Sequence, residues 1–236
     1  MDIATVSLTF SSFICAGISA VVGAAGGAML LGVMQWYLTP MEVLPIHSAV
    51  QFISNGSRAL LSVRDTHWRK VWQFLGGAVM GTTCGSFCVG YVTPERVPLF
   101  AGLMILTTSL LPRSSGGLRL PGRYVLCGII QGTVGMLTGA AGPLATATLQ
   151  RDGLNREQIV VTTAMMMTFL NSLKIIAFLE LGSSLGHYRL LLALMLVSSL
   201  FGTWVGTALR GRIPEASFQR ALKVILVGLG LQLTLL

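Results

Sequence analysis

Residues 23–27 read Gly-Ala-Ala-Gly-Gly, and residues 139–143 read Gly-Ala-Ala-Gly-Pro, 116 positions further on. Each run interrupts an apolar segment with backbone that carries almost no side chain, a place where a helix breaks. At the same offset of 116, Leu38 meets Leu154, Asn55 meets Asn171 and Arg58 meets Lys174. At 121, Gly81, Thr82, Gly85 and Gly90 meet Gly202, Thr203, Gly206 and Gly211. At 120, Pro94, Glu95, Ala101, Ile105 and Leu106 meet Pro214, Glu215, Ala221, Ile225 and Leu226. So many Gly, Pro, Asn and basic coincidences, in order, mark a duplicated chain. Its halves run over 6–111 and 123–236, joined by a polar linker at 112–123 expected on the cytoplasmic face, within a single membrane domain over 1–236.

The composition says where these halves live. Hydrophobic residues make up 53% of the 236 and charged residues 10%, with a mean hydropathy of +0.76. That balance belongs to an integral membrane protein. The longest polar stretch, Pro112 to Arg123, is too short to fold as a domain beside the membrane. The net charge of +8 sits in short connections, where it reads as a topology signal and not as a nucleic-acid surface. Cys15, Cys84, Cys88 and Cys127 all lie in apolar segments without redox or zinc spacing, so they read as core residues. Asp2 and the lack of a basic run before the first apolar segment argue that this segment is retained.

Each half carries four apolar segments, and in lipid only helices satisfy their own backbone. They are Val6 to Leu38, Met41 to Val63, Val71 to Val92 and Leu99 to Leu111, then Tyr124 to Leu149, Ile159 to Leu181, Tyr188 to Leu209 and Phe218 to Leu236. The first of each half is glycine-broken, and Leu144 to Leu149 spans only about 9 Å against a hydrocarbon core of about 30 Å. If all eight segments cross, each face receives seven Lys or Arg. If the two broken segments enter and leave on one face, the count becomes twelve against two, with only Arg96 and Arg189 on the minor face and Arg58 and Lys174 inside the membrane. The positive-inside rule selects the second arrangement. Three crossings per half is odd, so the halves are inverted and both termini lie outside the cytoplasm. The expected fold is an all-α integral membrane protein with two inverted repeats, each a glycine-broken re-entrant hairpin plus three transmembrane helices. Inverted repeats with broken helices are transporter architecture.

The candidate site follows from the same features. Bare backbone at Gly26, Gly27 and Gly142 must face protein or a water-filled cavity, and the half-helices that start there aim N–H groups and positive dipole ends at an anion. Arg58 and Lys174 each cost about 2.5 to 3.5 kcal/mol to insert, so one basic residue per half at the same repeat position points to two cations converging on one ligand. The alternative is that each snorkels to the interface. Asn55 and Asn171, three residues earlier, share those helix faces and add amide donors; their other reading is an interhelical hydrogen bond. His47, which aligns with Thr163, is a candidate proton carrier, or else an interfacial histidine near a helix start; Thr163 is a candidate hydroxyl donor. There is no Gly-x-Ser-x-Gly, no His-Glu-x-x-His and no Walker loop, so the reading is a non-enzyme.

The glycine openings of the two halves, the helix from His47 to Arg58 and the stretch from Trp68-Arg69 through Gly76, Gly77, Gly81 and Gly85 resemble the TauE/SafE sulfite exporter family, also called the toluene sulfonate uptake permeases. The resemblance covers nearly the whole chain. It implies a secondary carrier of sulfite, a sulfonate or a similar organic anion in the bacterial inner membrane. The partners implied are a small anion and the lipid bilayer, with homo-oligomerisation left open and no nucleic acid or cofactor. The competing reading from another class is a membrane scaffold or assembly partner whose intramembrane polar residues only lock helices together.

Overall fold

Capping chemistry begins the central helix of each half, and it repeats at the same offset. Glu42 accepts a hydrogen bond from the Thr39 N–H at 2.8 Å, and 116 residues on, Asn155 and Gln158 exchange bonds of 2.8 and 3.2 Å. Both are reciprocal caps that satisfy N–H groups orphaned at a helix start. The computed structural model describes residues 2–22, 26–110, 121–139, 142–150, 152–183, 185–210 and 215–235. The expected centres of both glycine breaks, at 23–25 and 140–141, and most of the linker, at 111–120, lie outside the described residues.

Among the described residues ten α-helices follow in order: α1 (Ile3–Val22), α2 (Gly26–Met34), α3 (Pro40–Leu61), α4 (Trp68–Val89), α5 (Val97–Leu110), α6 (Arg123–Thr138), α7 (Gly142–Gln150), α8 (Arg156–Glu180), α9 (Arg189–Leu209) and α10 (Glu215–Leu235). The described residues thus form an all-α structure. Among the described residues three segments, Ile3–Val21, Arg156–Glu180 and Leu185–Leu209, are long and apolar enough to cross a membrane. Each segment expected to be broken appears as a longer helix and a nine-residue one, α1 with α2 and α6 with α7. Nine residues rise only about 14 Å, too little for a span, whereas the twenty of α1 rise about 30 Å. Phe10, Trp72, Phe87, Leu190 and Trp204 stand exposed, as suits a surface solvated by lipid.

Close packing is set by glycine. A Cβ on Gly81 would lie 2.2 Å from the Ile129 carbonyl oxygen, and one on Gly202 would lie 2.1 Å from that of Phe13. Gly85 meets the Thr133 carbonyl oxygen and Gly206 that of Gly17, at 3.0 and 2.3 Å. Where Gly77 presses on the Val125 oxygen, the Ser198 hydroxyl donates to Thr9. The contact partners 125, 129 and 133 differ from 9, 13 and 17 by 116, while 77, 81 and 85 differ from 198, 202 and 206 by 121. The offsets of the sequence duplication therefore recur in the contacts. Residue numbers rise together along both pairs, so α6 runs parallel to α4 and α1 runs parallel to α9.

The other main pairs are α3 with α8 and α5 with α10. Gly56 packs beside Thr168, and Ser62 bonds Glu157, so α3 and α8 are antiparallel. One apolar cluster joins α1, α2, α3, α5, α9 and α10, and another joins α3, α4, α6, α7 and α8. At one end of the bundle Asp152, just beyond α7, pairs with Lys70 and Arg123 and accepts from the Tyr124 hydroxyl. The start of α6 and the end of α7 therefore meet there. At the opposite end the Tyr188 hydroxyl donates to Glu42.

Candidate functional site

Residues 47, 51, 55 and 58 fall at helical spacing, which puts His47, Gln51, Asn55 and Arg58 on one face of α3. All four are buried. His47 Nε2 donates to the Gly27 carbonyl oxygen at 2.8 Å. A Cβ on Gly27 would lie 3.0 Å from Gln51 Oε1, and one on Gly26 would lie 2.0 Å from the Cys15 oxygen, so the start of α2 is wedged between α1 and this polar face. Asn55 Nδ2 donates to the Gln51 carbonyl oxygen at 2.8 Å and to Gln51 Oε1 at 3.2 Å. Its Oδ1 accepts from Arg58 Nη2, while Arg58 Nη1 donates to the Ser19 carbonyl oxygen. Among the described residues, His47 Nδ1 and Arg58 Nε are buried with no hydrogen-bond partner.

The equivalent face of α8 carries Thr163, Met167, Asn171 and Lys174, all buried. Asn171 Nδ2 donates to the Met167 oxygen at 2.8 Å, and the Thr163 hydroxyl lies 3.4 Å from that of Thr146 on α7. Lys174 is 1% exposed, and among the described residues its ammonium makes one long bond, 3.4 Å to the Gly139 carbonyl oxygen. An ammonium has three N–H donors, and leaving them unmet inside a bundle is costly.

Arg58 and Lys174 do not converge. Gly56 and Thr168 mark the crossing of two antiparallel helices, so Arg58 lies on one side of it and Lys174 on the other, roughly 12 Å apart along the bundle. Each reaches a carbonyl near the end of the first helix of its own half, Arg58 at Ser19 and Lys174 at Gly139. Gly139 itself sits in the left-handed region, with φ of 75°, and ends α6 by donating to the Gly135 oxygen at 3.0 Å.

The end of α1 is completed differently. Its last carbonyls point where a helix concentrates negative partial charge, and cations are favoured there. Arg58 takes Ser19, Arg210 Nε takes Ala20 at 2.8 Å and Arg156 Nη2 takes Val21 at 2.8 Å. Arg210 also grips both Glu157 oxygens at 2.7 Å, and Ser62 donates to Glu157 at 3.0 Å.

The family model of the sulfite exporter TauE/SafE matches residues 8–233. The chain belongs to this family. It is also 28% identical over 222 residues, 90% of this chain and 89% of the other, to the probable inner membrane transporter protein TsaS of Comamonas testosteroni. No solved structure matches. The TauE/SafE match, the transporter relative and the apolar helices together support membrane transport by a multi-pass inner-membrane protein.

Within this TauE/SafE chain the structure brings His47, Gly26, Gly27, Asn55 and Arg58 into one connected face. Lys174 and Asn171 occupy the matching face of α8, beside Thr163, and Gly142 opens α7. Sequence reasoning missed Gln51, although its spacing from His47 and Asn55 was the available signal. It also took Arg156 and Arg210 as topology charges only, because nothing local in the sequence ties them to α1.

Proposed function

We propose that this TauE/SafE chain is a secondary carrier that moves a small anion, sulfur-containing or organic, such as sulfite or a sulfonate, across the bacterial inner membrane by alternating access. The reading makes it a carrier and not a catalyst. One observation carries it: the Lys174 ammonium is 1% exposed, holds a single 3.4 Å bond and has no paired carboxylate among the described residues. A buried intramembrane cation without a counter-charge is a site for an anion by default. In this reading Lys174 attracts the anion, His47 and the first turn of α2 at Gly26 and Gly27 line the approach, Asn55 holds Arg58 in place, and Asn171 adds an amide donor on the face of α8 that bears Lys174. Arg58, with Thr163 and Gly142 of the second half, completes the polar path.

The two halves are taken as inverted repeats over 6–111 and 123–236, each with a re-entrant hairpin. Support comes from the glycine contacts that exchange at constant offsets and from the hairpin ends that meet at Asp152. With the positive-inside rule, the end bearing Lys70, Arg123, Arg156 and Arg210 is the cytoplasmic one, and both termini lie opposite. The test is uptake of labelled sulfite and methanesulfonate into proteoliposomes. Wild-type uptake that is lost in Lys174→Ala is expected; full uptake by that variant would remove Lys174 from the site.

A further inference from the structure

His47 has one ring nitrogen committed and one unused. The side chain is 2% exposed, and Nε2 donates to the Gly27 carbonyl oxygen at 2.8 Å. Among the described residues Nδ1 is buried with no hydrogen-bond partner. Gly139 ties that nitrogen to the neighbourhood of Lys174. Its oxygen receives the Lys174 ammonium at 3.4 Å, and a Cβ built on it would lie 2.7 Å from Leu31 Cδ1 and 3.1 Å from Leu44 Cδ2. Leu31 is one turn along α2 from Gly27, and Leu44 is one turn along α3 from His47, roughly 5 Å in each case. Phe178, one turn beyond Lys174, packs in the same apolar cluster as Leu44. The imidazole and the ammonium thus lie within about one helical turn of each other along the bundle, and no bond joins them. None of the ion pairs among the described residues includes either group. A charged ring would put a second unpaired cation in this layer, so the ring is neutral. A carbonyl oxygen only accepts, so Nε2 carries the proton of that neutral ring and Nδ1 is an acceptor.

We propose that His47 Nδ1 selects an anion that carries its own O–H donor: Lys174 takes the charge and the imidazole takes the hydroxyl. The proposal rests on the reading of this chain as an anion carrier and narrows its substrate class. Monoprotonated oxyanions such as hydrogen sulfite, and hydroxylated sulfonates or carboxylates, meet both groups. Fully ionised sulfate, methanesulfonate and chloride meet only the cation. An anion bearing an ammonium also offers a donor, but it brings a second positive charge beside Lys174, so the site favours O–H over N–H. A ligand without the donor leaves a buried acceptor unpaired, and a site built around a hydroxyl rejects the analogue that lacks it for that reason.

The probes that isolate this contact are 2-hydroxyethanesulfonate and ethanesulfonate, which differ by one hydroxyl. Uptake of each labelled compound into proteoliposomes holding the full-length wild-type chain should half-saturate at a roughly tenfold lower concentration for the hydroxylated one. In His47→Phe, which keeps an aromatic ring and removes both nitrogens, the two compounds should half-saturate alike. If that variant gives no folded protein, the wild-type ratio decides. Equal half-saturation in wild type, or a tenfold preference that survives in His47→Phe, overturns the role of Nδ1 and leaves the carrier reading standing. No uptake of either sulfonate or of labelled sulfite overturns both.

Discussion

The two short-legged hairpins of this molecule share a backbone plan and differ in how their inner ends are satisfied. In the first, α1 ends on three consecutive carbonyls, Ser19, Ala20 and Val21, each bonded by a different arginine. In the second, α6 closes itself with a left-handed glycine and receives one ammonium at 3.4 Å. A basic residue stands at both 58 and 174, one repeat offset apart, but no counterpart of Arg156 or Arg210 stands at 40, 89 or 90, where the sequence has Pro40, Val89 and Gly90. Packing in this protein is symmetric and charge is not. The first hairpin is held firmly from the second half, and the second keeps a cation with spare donors.

The largest effect should come from breaking what the halves share. Gly81→Val and Gly202→Val each drive a side chain into a backbone oxygen that already lies 2.2 and 2.1 Å from an ideal Cβ. Both should abolish folded yield in size-exclusion chromatography, and to the same degree; a strong effect at one position alone would break the symmetry. Next in size, Lys174→Met should lower labelled-anion uptake by about 10- to 100-fold, the worth of a charged hydrogen bond to the ligand.

Stability then sharpens the contrast. Replacing the poorly bonded Lys174 by Met removes a buried charge and should raise the melting temperature in detergent or leave it unchanged. Arg58→Met strips Ser19 and Asn55 of their donor and should destabilise by about 1–3 kcal/mol. If both variants shift the melt in the same direction, the charge asymmetry drawn here fails. The smallest effect is expected at the caps: Asn155→Ala should cost about 1 kcal/mol in the same melt, with Glu42→Ala no larger.

Much of this was legible before any coordinates. The duplication, the two breaks, the all-helical membrane class and the burial of Arg58, Lys174, Asn55 and Asn171 follow from local composition, glycine chemistry and the cost of polar groups in lipid. The capping pairs at 39 with 42 and at 155 with 158 are local too, and they too sit at the repeat offset. Sequence reasoning did not foresee the carbonyls that the two cations reach, Ser19 for Arg58 and Gly139 for Lys174. A long basic side chain settles on whichever unsatisfied carbonyls the helix packing brings within reach. Those that receive arginine at the end of α1 are 39, 135 and 190 residues away from it in the chain. Sequence alone therefore determined which segments are helical, where they break and which polar groups are buried, because neighbours along the chain decide those things. Only the tertiary structure decided that Arg58 joins Arg156 and Arg210 while Lys174 stays nearly alone, because that depends on which helix ends meet in space.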